Sequence, residues 1–345
     1  MFSIKLWTFA IVNMEMKELK DLLRTPHKIV ITTHVNPDGD AIGSSLALYN
    51  FLTKMGHHVN VIVPNDFPDF LKWIHNTEKV INYSNSREES ENIIKNSSVI
   101  FCLDFNNLSR INEMGEYISG SDAKKVLIDH HLEPVNFYDF KIHDTSASAT
   151  AELVYEFLNY LDAELIDKNI SEALYTGILT DTGSFKFSTT SKVHRIVGDL
   201  LEKGIDINHI NKAIYDSNSY DKIKLMGYAL SEKLKLAVGG NVAYIVLSRQ
   251  DLLDHNFKKG DTEGLVNYAL SIVDVNVAVL IIETKERIKF SFRSSGSFSV
   301  NEFARKYFNG GGHKNAAGGS LEDKLSVALD KFLESISKYS KDLNY

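Results

Sequence analysis

Four short apolar, β-branched runs, Lys28–Thr33, Val59–Val63, Ser98–Leu103 and Lys124–Ile128, alternate with polar turns and helical patterns such as Ala41–Met55. This alternation restricts the fold more than any other feature. Uninterrupted apolar runs of this length suit strands buried on both faces, and strands alternating with helices build a mostly parallel sheet sandwiched between helices. From Ala147 to about Lys235 apolar residues recur at three-to-four spacing, as in AELVYEFLNYL and SEALYTGIL, which predicts helices. Strand patterns return at Val242–Leu247, Val275–Ile282 and Arg287–Phe292, with helical patterns at Thr262–Ser271, Val300–Phe308 and Leu321–Lys338. The expected fold class is α/β: a mostly parallel, doubly wound N-terminal domain over 14–205, a helical linker over 206–235, and a smaller C-terminal α/β domain over 236–345. Two domains also suit a length of 345 residues.

Ligands of open parallel sheets bind beyond the carboxyl ends of the strands. Here three strands run directly into titratable residues: Lys28–Thr33 into His34-Val35-Asn36-Pro37-Asp38-Gly39-Asp40, Ser98–Leu103 into Asp104, and Lys124–Ile128 into Asp129-His130-His131. Pro37 and Gly39 favour a turn that splays Asp38 and Asp40 apart, with Asp40 also suited to cap the helix that follows. A fifth carboxylate, Asp181, follows the apolar helix in Thr180-Asp181-Thr182-Gly183-Ser184, a composition that favours a bent loop. Alone, each Asp reads as a turn or cap residue and each His as a polar strand end. Together, five carboxylates with no Lys or Arg interleaved would repel one another unless cations lay between them.

Those cations must be held without sulfur, because the one cysteine, Cys102, sits inside a strand run and reads as a small buried apolar residue. His27, His57, His58, His75, His143, His194, His209 and His255 lack comparable surroundings and read as surface or core residues. Imidazole plus carboxylate suits Mn²⁺ first, with Mg²⁺ or Co²⁺ as alternatives. Two such ions form the usual clamp for in-line displacement at phosphorus, so phosphoester hydrolysis is the implied chemistry. The net charge of −7 argues against a general grip on long duplex nucleic acid, leaving a short phosphorylated ligand. The apolar run Leu6–Val12 is too short to span a bilayer and carries no small-residue cleavage site, so neither signal nor anchor is expected and the cytoplasm is the default. Met14 or Met16 is a candidate start, the residues before it then being a frayed extension.

The ordered set His34-x3-Asp38-Gly-Asp40, Asp104, Asp129-His130-His131 and Asp181 resembles the four motifs of the DHH phosphoesterase family. Downstream, Gly310-Gly311-Gly312-His313-Lys314-Asn315-Ala316-Ala317-Gly318, with Phe292-Arg293-Ser294 before it, resembles the glycine-rich signature of the DHH-associated C-terminal domain. Asn309 stands where many relatives carry another glycine. The resemblance spans about Lys28 to Gly319 and implies one ion on His34, Asp38 and Asp104, and a second on Asp40, Asp104, His130 and Asp181. It further implies that His131 acts on the scissile phosphate or the leaving oxygen while Asp129 orients its neighbours. Arg293, Ser294, Gly310, Gly311, Gly312 and His313 are the expected substrate-binding residues. Independently, consecutive glycines let backbone N–H groups approach a phosphate, although the same run also reads as a plain turn.

Within the family the chain resembles the branch of the bacterial nanoRNases and 3′,5′-bisphosphate nucleotidases, a resemblance that implies hydrolysis of very short oligonucleotides to mononucleotides, of pAp to AMP, or both. A cyclic-dinucleotide phosphodiesterase acting on c-di-AMP is the alternative. A family II pyrophosphatase is disfavoured by the C-terminal glycine element, a RecJ-type exonuclease by size, and a noncatalytic nucleotide sensor by retention of every ligand. A homodimer is expected from base rates alone.

Overall fold

The computed structural model describes residues 15–343. Leu6–Val12 and Met14 lie outside the described residues. The chain divides into two compact units at Ser217/Asn218, inside the stretch expected as a linker. Among the described residues no helix is long and apolar enough to cross a membrane.

The first unit runs through helix α1 (residues 15–22), β1 (Lys28–Thr33), α2 (Gly39–Lys54), β2 (His58–Val63), β3 (Ile81–Asn82), α3 (Arg87–Lys95), β4 (Val99–Leu103), α4 (Met114–Ser119), β5 (Lys124–Asp129) and β6 (Phe140–His143). It then continues through α5 (Thr150–Asp162), α6 (Lys168–Asp181), α7 (Ser191–Glu202) and α8 (Ile207–Tyr215). Its six strands pair in the order β3-β2-β1-β4-β5-β6, and every pairing is parallel. The α/β expectation therefore holds.

Strand periodicity explains the apolar runs. Ile29, Ile31, Val99, Phe101, Leu103, Val126 and Ile128 point to one face, where they pack with Ile42 and Leu46 of α2, Phe157 of α5 and Ile178 of α6. Their neighbours Val30, Ile100, Cys102 and Leu127 point to the other, against Ile94 of α3 and Met114 and Ile118 of α4. Both faces are covered by helices, so the middle positions of these strands are apolar on either side, and buried polar residues such as Thr32, Thr33 and Asp129 come only at the carboxyl ends. Cys102 is fully buried and its thiol pKa is pushed up to about 12 by burial, in keeping with a packing role. Two strands of this unit, β3 and β6, were not legible in the sequence. Both lie at sheet edges and are half-exposed, so they lack the apolar signature.

The second unit runs through α9 (Tyr220–Tyr228), β7 (Leu234–Ala237), β8 (Val242–Leu247), α10 (Arg249–Asp254), α11 (Leu265–Leu270), β9 (Val277–Glu283) and β10 (Ile288–Ser294). It ends with α12 (Val300–Tyr307), β11 (Gly311–His313), β12 (Ala316–Leu321), α13 (Leu325–Ser337) and α14 (Ser340–Leu343). A six-stranded sheet of order β11-β12-β10-β9-β8-β7 is antiparallel except for the β8/β9 pair. Phe290 and Phe292 of β10 pack against Phe303 and Phe308, with Phe332 of α13 in the same core.

The glycine run takes a form that neither sequence reading described. Gly311–His313 is an edge strand paired with β12 rather than a turn or a free loop. A Cβ on Gly310 would lie 2.0 Å from the Gly318 carbonyl oxygen, and one on Gly312, at φ 146°, 2.5 Å from that of Ala316. Backbone proximity within this hairpin is thus what demands glycine at these two positions.

Candidate metal centre

The strand order reverses direction between β1 and β4, and at such a switch point two loops part to leave a crevice beyond the strand ends. His34 leaves the end of β1, and Asp104 the end of β4. Asp104 adopts φ 63°, a left-handed conformation that Asp tolerates better than most residues. Asp129 ends β5, with His130 and His131 next in sequence. Asp40 lies in the first turn of α2, and Asp181 is the last residue of α6 rather than part of a loop. The bent segment begins two residues later, where Gly183, Ser184 and Phe185 all take positive φ.

These side chains converge around Asp104. His34 Nε2 lies 3.3 Å from one Asp104 oxygen, and His130 Nε2 and His131 Nδ1 lie 3.6 and 3.7 Å from the other. His34 Nε2 is also 3.9 Å from Asp38, while His130 Nε2 is 3.4 Å from Asp181 and 4.0 Å from Asp40. All of these except Asp38 and Asp181 are buried. His34 with Asp38 and Asp104, and Asp40 with Asp104 and His130, each bring three ligand atoms within 4.8 Å of one another.

Hydrogen bonds fix the orientation of the imidazoles. His34 Nδ1 donates to its neighbour's carbonyl, Val35 O, at 3.0 Å, and His130 Nδ1 donates to Ala147 O at 3.1 Å. An N–H on Nδ1 leaves the lone pair on Nε2, the atom aimed at the carboxylates in both residues. His131 is turned differently: its Nδ1 donates to Asp129 Oδ1 at 2.7 Å. The other Asp129 oxygen is buried without a hydrogen-bond partner among the described residues. Clustered hard oxygen donors plus two imidazoles presenting Nε2 fit a divalent cation.

The cap of α2 is Asp38, not Asp40 as expected from sequence. Asp38 caps α2, accepting from the backbone N–H groups of Asp40 and Ala41 at 3.1 Å. Asp40 instead accepts from Thr150 N at 2.6 Å and Ala151 N at 2.8 Å, capping α5 across the site. Three contributors were missed in the sequence. His143 Nε2 donates to His131 O at 2.7 Å and Thr150 Oγ1 to Asp104 at 2.9 Å, and the positive charge of Arg110 is close enough to depress the proton affinity of His34. His143 ends β6, a half-exposed edge strand without an apolar signature, and Arg110 and Thr150 follow no strand directly.

The electrostatics record crowding. Burial first, then the charges of Asp104, Asp181 and Asp38, raise the Asp40 pKa well above the ordinary range. Burial likewise lifts Asp181 to about 6 against the opposing pull of His130. For His34 burial acts downward, but the hydrogen bond to Asp104 and the charges of Asp38 and Asp104 raise it on balance, and His130 is raised in the same way by Asp181 and Asp104. Asp104 moves the other way, since three imidazoles outweigh its burial.

A pH dependence follows. Asp40, Asp181, His34 and His130 all have folded pKa values above their unfolded ones, so the metal-free native state holds extra protons. The associated stability is present at low pH and is lost as pH rises through the folded values. Metal must displace these protons, so the gain in Tm on adding Mn²⁺ should grow between about pH 5.5 and about pH 8. Scanning fluorimetry with and without metal measures the difference, in which groups remote from the site cancel, such as the downward-shifted His57. A gain that stays flat or shrinks with pH would contradict this account.

In the second unit, Ser294 Oγ donates to Phe298 O at 2.8 Å and accepts from Asn315 Nδ2 at 2.9 Å, tying β10 to the turn after β11. Arg293 Nη1 donates to Phe292 O at 3.0 Å. Arg293 and Ser294 on β10 and His313 on β11 are joined through β12, with Arg293 and His313 both paired to Ala316.

The chain is similar in sequence and fold to known proteins. Residues 28–178 match the model of the DHH family, N-terminal domain, and residues 239–342 that of the DHHA1 domain. A Thermus thermophilus protein named bifunctional oligoribonuclease and PAP phosphatase NrnA is 33% identical over 311 residues, 89% of each chain. The Bacillus subtilis protein of the same name is 28% identical, covering 85% of this chain and 89% of its own. The crystal structure of an exopolyphosphatase-related protein from Bacteroides fragilis superposes with a TM-score of 0.92 at 40% identity, covering 96% of this chain and 98% of that one. RecJ from Thermus thermophilus, solved with Mn²⁺, shares the fold at a TM-score of 0.54 and 12% identity, covering 95% of this chain and 55% of its own. With the strand-end cluster in place and a relative this similar over nearly its whole length, the chain belongs to the DHH family and carries a DHHA1 domain.

Proposed function

We propose that this protein is a phosphoesterase that hydrolyses very short oligonucleotides to mononucleotides and pAp to AMP. The observation that carries the reading is Asp104, which lies within 4 Å of three imidazoles, two of them presenting Nε2. In this reading His34, Asp38 and Asp104 hold one divalent cation and Asp40, Asp104, His130 and Asp181 a second, with Mn²⁺ the favoured ion. Bound cations neutralise phosphoryl oxygens and lower the pKa of a water. The protein's residues supply the rest. Asp129 fixes the His131 proton on Nδ1, so Nε2 is the atom that exchanges a proton with the reacting oxygens. Arg110 adds positive charge beside His34 for a phosphoryl oxygen. Arg293 and His313 bind the substrate's phosphate or base, and Ser294 and the three glycines hold the strands that present them. The names of the two oligoribonuclease and PAP phosphatase relatives support the choice of substrates.

Product analysis tests this directly. Purified protein with Mn²⁺ is incubated separately with pApA, pAp, c-di-AMP, pyrophosphate and a long single strand. The expected result is AMP from pApA and pAp. Pyrophosphate turnover far above that of dinucleotides, preferential turnover of c-di-AMP, or digestion of the long strand would each overturn the substrate assignment. Tight binding of pAp with no product under Mn²⁺, Mg²⁺ and Co²⁺ would make the protein a sensor.

A further inference from the structure

We infer that Thr150 is a positioning residue that sets the metal affinity of this site by clamping Asp40 and Asp104 into one frame. The inference rests on the metal reading proposed above and extends it to a residue that donates nothing to a cation itself. Thr150 opens α5 and is fully buried. Its backbone N–H donates to Asp40 Oδ2 at 2.6 Å, that of Ala151 to Asp40 Oδ1 at 2.8 Å, and its hydroxyl to Asp104 Oδ1 at 2.9 Å. An ionised carboxylate only accepts, so the hydroxyl must be the donor toward Asp104.

The helix end explains why this residue acquires the task. Ala149, at the N-cap of α5, offers no side-chain acceptor, so the first amides of the helix go to Asp40, 110 residues earlier in the chain. One helical turn therefore grips two carboxylates that come from separate elements. The same short stretch also orients a third group, since Ala147 O accepts from His130 Nδ1. It is itself tied down: Ser148 N donates to Glu152 Oε2 at 2.7 Å, Ser148 Oγ donates to Ser188 O at 2.6 Å, and Lys192 of α7 lies 3.0 Å from Glu152 Oε1. Ligands from three separate elements are thus referenced to residues 147–151.

The test compares Thr150→Val, which keeps shape and backbone donors but removes the hydroxyl, with Thr150→Ser, which keeps the hydroxyl. Mn²⁺ affinity is measured by calorimetry and by the loss of free-ion electron paramagnetic resonance signal, alongside the Tm of the metal-free protein. Partners that orient ligands typically contribute about 10–100-fold to metal affinity. Thr150→Val should weaken Mn²⁺ binding by that factor with the metal-free Tm little changed, excess Mn²⁺ restoring much of the turnover, while Thr150→Ser should stay close to wild type in affinity. If a methyl beside Asp104 prevents Thr150→Val from folding, Thr150→Ala leaves room and must show the same loss. Wild-type affinity in Thr150→Val or Thr150→Ala, or an equal loss in Thr150→Ser, overturns the inference. Failure of the wild-type protein to bind any divalent cation would instead overturn the metal reading beneath it.

Discussion

Replacing Asp104 by Asn is expected to lower turnover by about a thousandfold or more while leaving the fold intact. Asn is nearly the same shape, tolerates the left-handed φ of 63° that this position adopts, and still accepts from Thr150 Oγ1 through its amide oxygen. What disappears is the charge that faces His34, His130 and His131. A bound metal ion supplies several kcal/mol of charge stabilisation in a transition state, and each factor of ten in rate corresponds to about 1.4 kcal/mol. Losing a carboxylate shared by both candidate ligand groups should therefore remove about three powers of ten. Turnover of the substrate identified by product analysis, measured with circular dichroism as a check on folding, decides it. A variant that keeps full activity with metal bound would show that Asp104 is not part of the reacting centre.

The second large effect is expected at Gly177, far from the strand ends in sequence but directly beneath the site. Helices α2 and α6 approach so closely that a Cβ on Gly43 would lie 2.4 Å from Ala173 O and 2.9 Å from Gly177 N. A Cβ on Gly177 would lie 2.7 Å from the Cβ of Ala151 and 2.9 Å from Asp40 Oδ1. None of these neighbours is the end of a long flexible side chain, so the helices themselves must move. Gly177→Ala should cost about 1–3 kcal/mol of stability, as overpacking does, and Gly177→Val more. Because the contact joins the helices that carry Asp40 and Asp181, Mn²⁺ affinity should fall with it. Gly198 in the middle of α7 is the control, since a Cβ there meets nothing within 4 Å. Gly198→Ala should be neutral or stabilising by up to about 1 kcal/mol, as for any open helical glycine. Denaturant melts of the two alanine variants give the comparison, and equal stabilities would refute the packing argument.

Much of this protein is legible in its sequence because of how parallel sheets are built. Strands buried on both faces cannot hide their apolar character, and β1, β2, β4 and β5 stand out for that reason. Loops beyond their carboxyl ends have no such constraint, so His34, Asp104, Asp129, His130 and His131 stand out against what precedes them. Half-exposed and glycine-rich strands carry no such contrast. Thus β3, β6 and β7 were missed, and β11 and β12 were hidden in a run that reads equally as a turn.

The sequence by itself determined the fold class, the rim at which chemistry would gather, and the carboxylates and imidazoles that gather there, because all but Asp181, which ends a helix, are written within a few residues of a strand end. Only the tertiary structure decided how they are held: that Asp38 caps its own helix while Asp40 caps a distant one, that Thr150 reaches Asp104, and that Gly43 and Gly177 let α2 and α6 touch. Those arrangements join residues up to 134 positions apart, from Gly43 to Gly177. A hydrogen bond or a van der Waals contact acts over a few ångströms of space and leaves no periodicity along the chain, so it exists for the reader only once the chain has folded.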